Sequence, residues 1–187
     1  LRQFGAKKTK VMGIYGAQGS GKSTLAAYLA ARFKAESERN ALVLSIDDFY
    51  LTRAERETLA KAVHPLLITR GVPGTHDVPL LLQTLDRLIN FTDSVSIPRF
   101  DKLVDDRVPK DQFDLVTEPV DVVILEGWCV GVDPEPTANL LAAVNGLEAV
   151  LDETGVWRTY VNNQLRNQYL PVWDRLDFLW ALVAPNF

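Results

Sequence analysis

One stretch near the N-terminus decides the fold of this 187-residue chain: Gly16-Ala17-Gln18-Gly19-Ser20-Gly21-Lys22-Ser23. It matches the pattern G-x-x-x-x-G-K-[ST] in full. The apolar run Val11–Tyr15 leads into it, and a segment with an apolar stripe at spacing four leads out. The motif therefore has the strand–loop–helix setting that a phosphate-binding loop requires.

The residue types of this loop suit a nucleoside triphosphate. Glycines let the backbone turn its N–H groups toward phosphate oxygens, and the N-terminus of the following helix adds partial positive charge there. We expect Lys22 to reach the terminal phosphates and act in catalysis, and the Ser23 hydroxyl to ligate Mg²⁺. The segment from Gly16 to Thr24 is thus predicted to bind ATP with Mg²⁺ as cofactor.

Outward from the loop, short apolar runs alternate with helical segments, which predicts an α/β domain with a mostly parallel sheet. The nearly continuous β-branched runs are typical of strands covered by helices on both faces. The predicted strands are Lys10–Tyr15, Ala41–Ile46, Ser94–Arg99, Val120–Leu125 and Phe178–Val183. The predicted helices are Ser23–Ala35, Arg53–Val63, Val78–Asn90, Thr137–Leu151 (interrupted around Gly146) and Val156–Leu170.

Composition excludes several other classes of protein. The chain is 47% hydrophobic and 24% charged, which is typical of one globular domain and excludes a disordered chain or a coiled-coil rod. The net charge of -4 argues against a nucleic-acid partner. No run of 18 apolar residues occurs, so no membrane association is expected. The oligomeric state is left open.

The single cysteine, Cys129, excludes an internal disulfide and a zinc cluster, favours a cytoplasmic location, and is expected to be a small buried residue. The chain begins with Leu1 and ends on Pro185-Asn186-Phe187 directly after an apolar run. We interpret it as a portion of a longer protein.

Acidic residues end two of the predicted strands, at the edge where parallel sheets bind ligands. Asp47 and Asp48 follow the second strand. One carboxylate there could accept the proton of an attacking substrate hydroxyl, and the other could hold Mg²⁺ through water; the alternative is a pair that caps a turn. Glu126, which closes the fourth strand, is predicted to be a carboxylate on the metal side, and Gly127 is expected to let the backbone approach a ligand closely.

Two polar loops are long for a compact domain and are predicted to bind the substrate, so we name them the first and second reader loops. The first is Arg70-Gly71-Val72-Pro73-Gly74-Thr75-His76-Asp77. Asp77 could bind a substrate hydroxyl, cap the helix that follows, or do both. His76 is interpreted as a positioned loop residue rather than a catalytic base.

The second loop begins Pro98-Arg99-Phe100-Asp101-Lys102 and continues through Arg107. An arginine fork suits a carboxylate or phosphate in two-point contact, and lysine suits it as a point charge. The alternative is ion pairing with neighbouring aspartates. Among the aromatic residues, Trp128 is expected near a ligand. The cluster Trp157, Tyr160, Tyr169 and Trp173 is expected to pack between helices.

These motifs occur in one order that resembles the phosphoribulokinase, uridine kinase and pantothenate kinase superfamily of P-loop kinases. The order is the phosphate loop, Asp47-x-Phe49-Tyr50, Gly71-x-Pro73-Gly74-Thr75-His76-Asp77, Pro98-Arg99-Phe100-Asp101-Lys102 and Glu126-Gly127-Trp128-Cys129-x-Gly131. Within the superfamily the chain looks like the D-glycerate 3-kinase-like group, for which Arg-[Phe/Tyr]-Asp-Lys and Glu-Gly-Trp are typical. The resemblance extends from Val11 to the end.

The resemblance implies a three-layer P-loop NTPase fold with a parallel five-stranded sheet, formed by residues 1–187 as one kinase domain. It implies that Asp47 is the base and also lies on the metal side with Ser23 and Glu126. It implies a small-molecule acceptor of phosphate, with D-glycerate the first choice. The acceptor side is assigned to Asp48, Tyr50, His76, Asp77, Arg99, Lys102 and Arg107. Members of the group continue past Ala-Pro-Asn-Phe into a lid helix and a last strand, which this chain lacks.

Two other functions compete with this one. Uridine, pantothenate or a sugar could be the acceptor, because acceptor choice depends on the two loops and not on the fold. A nucleotide-binding regulator would need no acceptor, but it would also have no need of an acid at Asp47 beside loops of this kind.

Overall fold

A parallel sheet forms the centre of the protein, whose computed structural model describes residues 9–183. The sheet contains four parallel strands, which are β1 Lys10–Gly16, β2 Ala41–Ser45, β7 Val122–Gly127 and β8 Phe178–Leu182. Their order across the sheet is β2-β7-β1-β8. Every residue of β7 is buried, because helices cover both faces of the sheet.

The helices follow the apolar periodicities of the sequence. They are α1 Lys22–Ser37, α2 Arg53–Ala62, α3 Val78–Ile89, α4 Gly146–Leu151, α5 Val156–Gln164 and α6 Leu170–Trp173. On one face of the sheet α1 buries Leu29 and Phe33 against Met12 and Ile124. On the other face α3 and the segment before α6 form a second core with Val123 and its neighbours. The α/β fold that the sequence predicts is confirmed.

The third predicted strand lies outside the parallel sheet. Residues Val95–Ile97 form β3, which pairs antiparallel with β6, Asp114–Val116. In β3 the middle residue is exposed and its two neighbours are buried, as in a half-covered antiparallel strand. The parallel sheet in residues 9–183 therefore has four strands rather than five. A second short hairpin joins β4, Phe100–Asp101, to β5, Asp106–Arg107.

Two predicted helices are not regular α-helices over their whole length. The segment predicted as the helix Thr137–Leu151 consists of a 3₁₀ turn at Thr137–Leu140 and, further along, α4. The segment predicted as the helix Val156–Leu170 begins as α5 and continues as a π-helical segment, Leu165–Tyr169, before α6 begins. None of the helices in residues 9–183 is long and apolar enough to cross a membrane. The predictions about the two chain ends concern residues 1–8 and 184–187, which lie outside the described residues.

Candidate active site

The phosphate loop connects β1 to α1 through two left-handed glycines. Gly19 has φ 76° and Gly21 has φ 87°, values that favour glycine strongly over residues with a side chain. Gly21 caps α1, and its carbonyl accepts from the amide of Leu25 at 2.9 Å. The Lys22 amine donates to the carbonyl of Ala17 at 2.7 Å across the loop. The Lys22 side chain therefore folds back over the loop, and its contact with the terminal phosphates stays a prediction.

The loop also has polar groups suited to anionic oxygens and a hard cation. The Ser20 hydroxyl is buried and has no hydrogen-bond partner among the described residues. A Cβ at Gly16 would lie 2.7 Å from this hydroxyl, so glycine keeps the cradle open. The Ser23 hydroxyl donates to Glu126 Oε1 at 3.1 Å. Hydroxyl and carboxylate oxygens are the donors that Mg²⁺ prefers, so these residues fit Mg·ATP.

Glu126 reaches this position because β7 lies between the other two strands that end here. It pairs in register with Ile14 of β1 and Ser45 of β2, and its side chain is largely buried. The carboxyl ends of these strands thus bring the phosphate loop, Glu126 and the segment after β2 to one edge of the sheet. Residues 9–183 contain no cluster of three or more His, Cys, Asp or Glu that could hold a metal ion.

The two adjacent aspartates after β2 have separate environments. Both lie in a 3₁₀ turn, Ile46–Phe49. Asp48 accepts from Arg99 Nη1 at 2.7 Å and from the amide of Phe100 at 3.2 Å. Burial raises the pKa of Asp48, and the charge of Arg99 opposes that rise. Asp47 instead accepts from the half-exposed Lys102 amine at 2.6 Å.

Gly127 fixes the position of this turn. A Cβ there would lie 2.3 Å from Cγ2 of Ile46 and 3.1 Å from Cγ2 of Val130. At Gly127 the backbone closely approaches the side chain of Ile46, next to Asp47, and its approach to a ligand stays a prediction. Glycine is needed because only its hydrogen leaves room for Ile46, which is fully buried.

Arg99 joins two segments through three nitrogens. Nη1 binds Asp48, while Nε and Nη2 bind Asp114 Oδ2 at 2.8 and 2.6 Å. The ion-pairing alternative considered from the sequence thus describes its present contacts. Its contact with an acceptor stays a prediction.

Asp77 makes two contacts at once. Its Oδ1 accepts from the amide of Leu80 at 3.1 Å and caps α3. Its Oδ2 lies 3.2 Å from Arg107 Nη1. The remaining nitrogens of that guanidinium donate to the carbonyl of Tyr50 at 2.7 and 3.2 Å. Asp77 and Arg107 therefore connect the first reader loop to the segment after β2.

His76 is buried behind Tyr50. The two rings stack with centroids 4.4 Å apart, and burial lowers the pKa of His76 to about 4. The Tyr169 hydroxyl accepts from the amide of Gly74 at 2.9 Å and lies 2.6 Å from His76 Nδ1. Either group can supply the proton of this hydrogen bond, depending on the tautomer of the imidazole. The other ring nitrogen, His76 Nε2, is buried and has no partner among the described residues.

Tyr169 is the last residue of the π-helical segment, and its hydroxyl contacts the first reader loop at Gly74. Single π-helical turns occur frequently at functional sites. The sequence predicted only packing for this tyrosine. No local signal identifies the contact, because Tyr169 and Gly74 are 95 positions apart. Burial also raises the pKa of Tyr169.

A pocket of about 510 Å³ lies between the phosphate loop and the two reader loops. Of the predicted site residues, the structure brings Gln18, Asp47, Tyr50 and Lys102 together in its wall. Asp48, His76, Asp77, Arg99 and Arg107 are not part of this lining and instead hold its loops. We name this cavity the acceptor pocket.

Arg70 and Arg53 also line the acceptor pocket and are absent from the set predicted from the sequence. The guanidinium of Arg70 pairs with Asp105 and lies 5.4 Å from the centroid of the Phe100 ring. The position of Arg70 at the start of the first reader loop was the sequence signal that could have identified it as a site residue. Arg53 is the first residue of α2, and no sequence pattern distinguished it from the other surface arginines.

Arg56, one turn further along α2, is only 1% exposed. It donates to the carbonyls of Leu51, Ile68 and Asp105. Satisfied hydrogen bonds are what allow a buried charge. This arginine therefore joins three segments around the acceptor pocket.

Cys129 has the role expected from the sequence. It is fully buried, and burial raises the pKa of its thiol to about 12. A neutral thiol of this kind is a poor nucleophile.

The chain is similar over most of its length to known kinases. It is 36% identical over 183 residues to the uncharacterized kinase mug58 of Schizosaccharomyces pombe, covering 93% of this chain and 64% of that protein. It is 31% identical over 183 residues to the chloroplastic D-glycerate 3-kinase of Arabidopsis thaliana, covering 92% of this chain and 37% of that one. No protein-family model matches the chain.

A solved structure supports the same relationship. The D-glycerate 3-kinase of Cryptococcus neoformans superposes with a TM-score of 0.78 at 32% sequence identity, covering 93% of this chain and 63% of that chain. This chain thus spans between about a third and two thirds of the length of these relatives. The resemblance that the ordered motifs indicated is confirmed.

Proposed function

Because the chain is a homologue of P-loop kinases, D-glycerate 3-kinase among them, we propose that it transfers the γ-phosphate of ATP to a hydroxyl of a small acceptor. D-glycerate is the first candidate. The observation that carries the proposal is that Asp47 and the phosphate-loop residue Gln18 line one pocket. A hydroxyl in that pocket meets a carboxylate on one side and the phosphate loop on the other.

Asp47 is the residue proposed as general base. Its carboxylate would accept the hydroxyl proton as the oxygen attacks the γ-phosphate in line. Asp48 is held by Arg99 and the amide of Phe100, so we assign it to fixing the turn that presents Asp47. The place of Asp47 as the first residue of the Asp-x-Phe-Tyr motif supports this division of roles.

The phosphate loop would bind and orient the triphosphate. Its amides and the Lys22 amine would stabilise the charge that develops on the transferred phosphoryl group. Ser23 and Glu126 are the residues that would hold Mg²⁺. That ion, when bound, neutralises phosphate charge.

The wall of the acceptor pocket contains three cationic side chains, Arg53, Arg70 and Lys102, and two carboxylates, Asp47 and Asp105. Arg70 pairs with Asp105 and Lys102 with Asp47, so the wall has a small excess of positive charge, and an arginine fork suits a carboxylate. Glycerate has a carboxylate beside its hydroxyls, so this arrangement supports a hydroxy acid over a neutral sugar. We retain a cytoplasmic location and a small-molecule partner as parts of the proposal, with neither nucleic acid nor a membrane as partner.

The test is acceptor-stimulated ADP release with Mg·ATP, using D-glycerate, uridine, pantothenate and simple sugars. Asp47→Asn should reduce turnover by roughly 10²–10⁴-fold, the usual contribution of acid–base catalysis, while ATP binding stays near normal. Asp93→Asn is the matched control, because Asp93 is largely exposed and pairs only with Arg87 among described side chains.

Two results would contradict the proposal. A loss of turnover below tenfold in Asp47→Asn would remove Asp47 from the role of base. Release of ADP that no acceptor stimulates would favour the nucleotide-binding regulator. Stimulation by another acceptor on the panel would keep the kinase and replace glycerate.

A further inference from the structure

A second cavity, of about 560 Å³, adjoins the acceptor pocket. The two cavities share four wall residues, Gln18, Thr69, Arg70 and Gly71. The two cavities are therefore neighbours at the start of the first reader loop. We name the second cavity the tryptophan pocket, after Trp128 and Trp157 in its wall.

The tryptophan pocket differs from the acceptor pocket in chemistry. Besides the two indoles, its wall contains the side chains of Leu66, Val72 and Leu147. The wall of the acceptor pocket contains instead five charged side chains, Asp47, Arg53, Arg70, Lys102 and Asp105. Sites with mostly apolar walls and a few convergent polar groups are typical for small organic ligands.

A hydrogen bond holds one of the two tryptophans of this pocket in place. The indole N–H of Trp128 donates to the carbonyl of Gly71 at 2.9 Å, so the ring is fixed to the loop that both cavities share. The indole nitrogen of Trp157 is buried without a partner among the described residues. A preformed apolar wall reduces the ordering cost of binding.

The size of the two cavities exceeds the need of a three-carbon acid. Sites of about 300–1,000 Å³ hold ligands of drug size, and each cavity alone falls in that range. The carboxylate and hydroxyl groups of such an acid would occupy the acceptor pocket only. A site for an apolar group therefore remains next to it.

We propose that the tryptophan pocket binds the non-reacting apolar end of the phosphate acceptor. The acceptor is then a hydroxy acid with an aromatic or branched aliphatic substituent, its carboxylate near Arg70 and its substituent between Trp128 and Trp157. This inference rests on the proposed kinase function and narrows its substrate class beyond glycerate itself.

The probe is 3-phenyllactate, a hydroxy acid with a phenyl ring, and lactate is the matched acid without the ring. Binding is followed by quenching of tryptophan fluorescence, which requires no turnover. The expected dissociation constant of 3-phenyllactate is at least about tenfold lower than that of lactate, since one extra methylene in an apolar pocket already gives about tenfold or more.

A rim variant tests the location. Leu147→Asp places a charge in the pocket wall and should abolish the preference for the ring. Val150→Asp is its control, because Val150 lies on the same helix, is 76% exposed and is absent from the wall of the pocket. It should retain the preference in full.

Competition separates an acceptor from an effector. D-glycerate should raise the apparent dissociation constant of 3-phenyllactate in proportion to its concentration, because the two carboxylates share one site. Binding without competition would overturn the acceptor assignment and indicate an effector site.

Equal dissociation constants for the two acids, or a ring preference unchanged in Leu147→Asp, would overturn the pocket itself. Normal turnover in Asp47→Asn would overturn the proposed function separately, because the fluorescence measurement does not depend on the base.

Discussion

Replacement of Gly127 by alanine tests whether packing against the 3₁₀ turn Ile46–Phe49 controls the position of Asp47. The added Cβ would lie 2.3 Å from Ile46 Cγ2, which is 1.1 Å short of the 3.4 Å at which ordinary contacts begin. Ile46 is fully buried and cannot swing into solvent, so the turn must move. Overpacking of this kind costs about 1–3 kcal/mol. For a chain of this size that corresponds to a fall in Tm of roughly 2–12 °C.

The same displacement should affect catalysis. A shift of the base by about 1 Å costs on the order of 10²-fold in rate, so kcat for acceptor-stimulated ADP release should fall by about that factor. Circular dichroism melts give Tm, and coupled-enzyme kinetics gives kcat and KM for ATP. We expect KM for ATP to change little, because the phosphate loop follows β1 whereas the displaced turn follows β2, and β7 lies between these two strands.

Two further variants make the test decisive. Gly146→Ala is the control, because a Cβ there meets nothing within 4 Å, and its stability should be unchanged or higher by up to about 1 kcal/mol. In Gly127→Ala/Ile46→Ala the 2.3 Å contact is removed, and only the milder contacts with Val130 Cγ2 and residue 46 Cβ, at 3.1 and 3.2 Å, remain. The double variant should therefore be less destabilised than the sum of the single ones by about 0.5–3 kcal/mol. Equal stability of Gly127→Ala and Gly146→Ala would refute the steric argument.

Two other predictions follow from the buried network behind the acceptor pocket. Tyr169→Phe leaves the Gly74 amide and His76 Nδ1 without their partner, and stability measured by urea unfolding should fall by about 1–3 kcal/mol; Tyr160→Phe, whose ring packs on the same glycine, is the control, and an equal loss in both would contradict the network. The pKa of His76 is lowered from 6.5 to about 4 by burial, so between these pH values the unfolded chain binds more protons and stability falls as the pH falls, by about 3 kcal/mol from pH 7 to pH 4. His76→Gln should flatten that part of the profile, whereas His64→Gln should leave it; identical profiles for the wild type and His76→Gln would disprove the assignment.

The phosphate loop and the fold class were predictable because their signals are local. Eight consecutive residues carry the loop motif, and each strand next to it is a continuous apolar run. The same holds for Asp47 and Glu126, since an acid that directly follows a buried parallel strand must lie at the carboxyl edge of the sheet. The strand Ser94–Arg99 was also detected, but its partner was not, because a strand's own pattern does not specify what it pairs with.

The roles of the other site residues depended on contacts between distant segments. Arg99 meets Asp48, which is 51 positions away, and nothing in either segment distinguishes an arginine that binds an acceptor from one that binds an aspartate. Likewise the sequence assigned Trp157 to helix packing, whereas in the structure it lines a pocket.

The sequence by itself therefore determined the fold class, the phosphate-loop motif between a strand and a helix, and the acids at the edge of the sheet. Only the structure showed that the predicted strand Ser94–Arg99 lies outside the parallel sheet. Only the tertiary structure decided that Asp47 lines the acceptor pocket while Asp48 is held by Arg99. It also decided that Gly127 makes room for the side chain of Ile46. The physical reason is that backbone periodicity and loop chemistry act over a few residues, whereas the partner of a side chain is set by how whole elements pack.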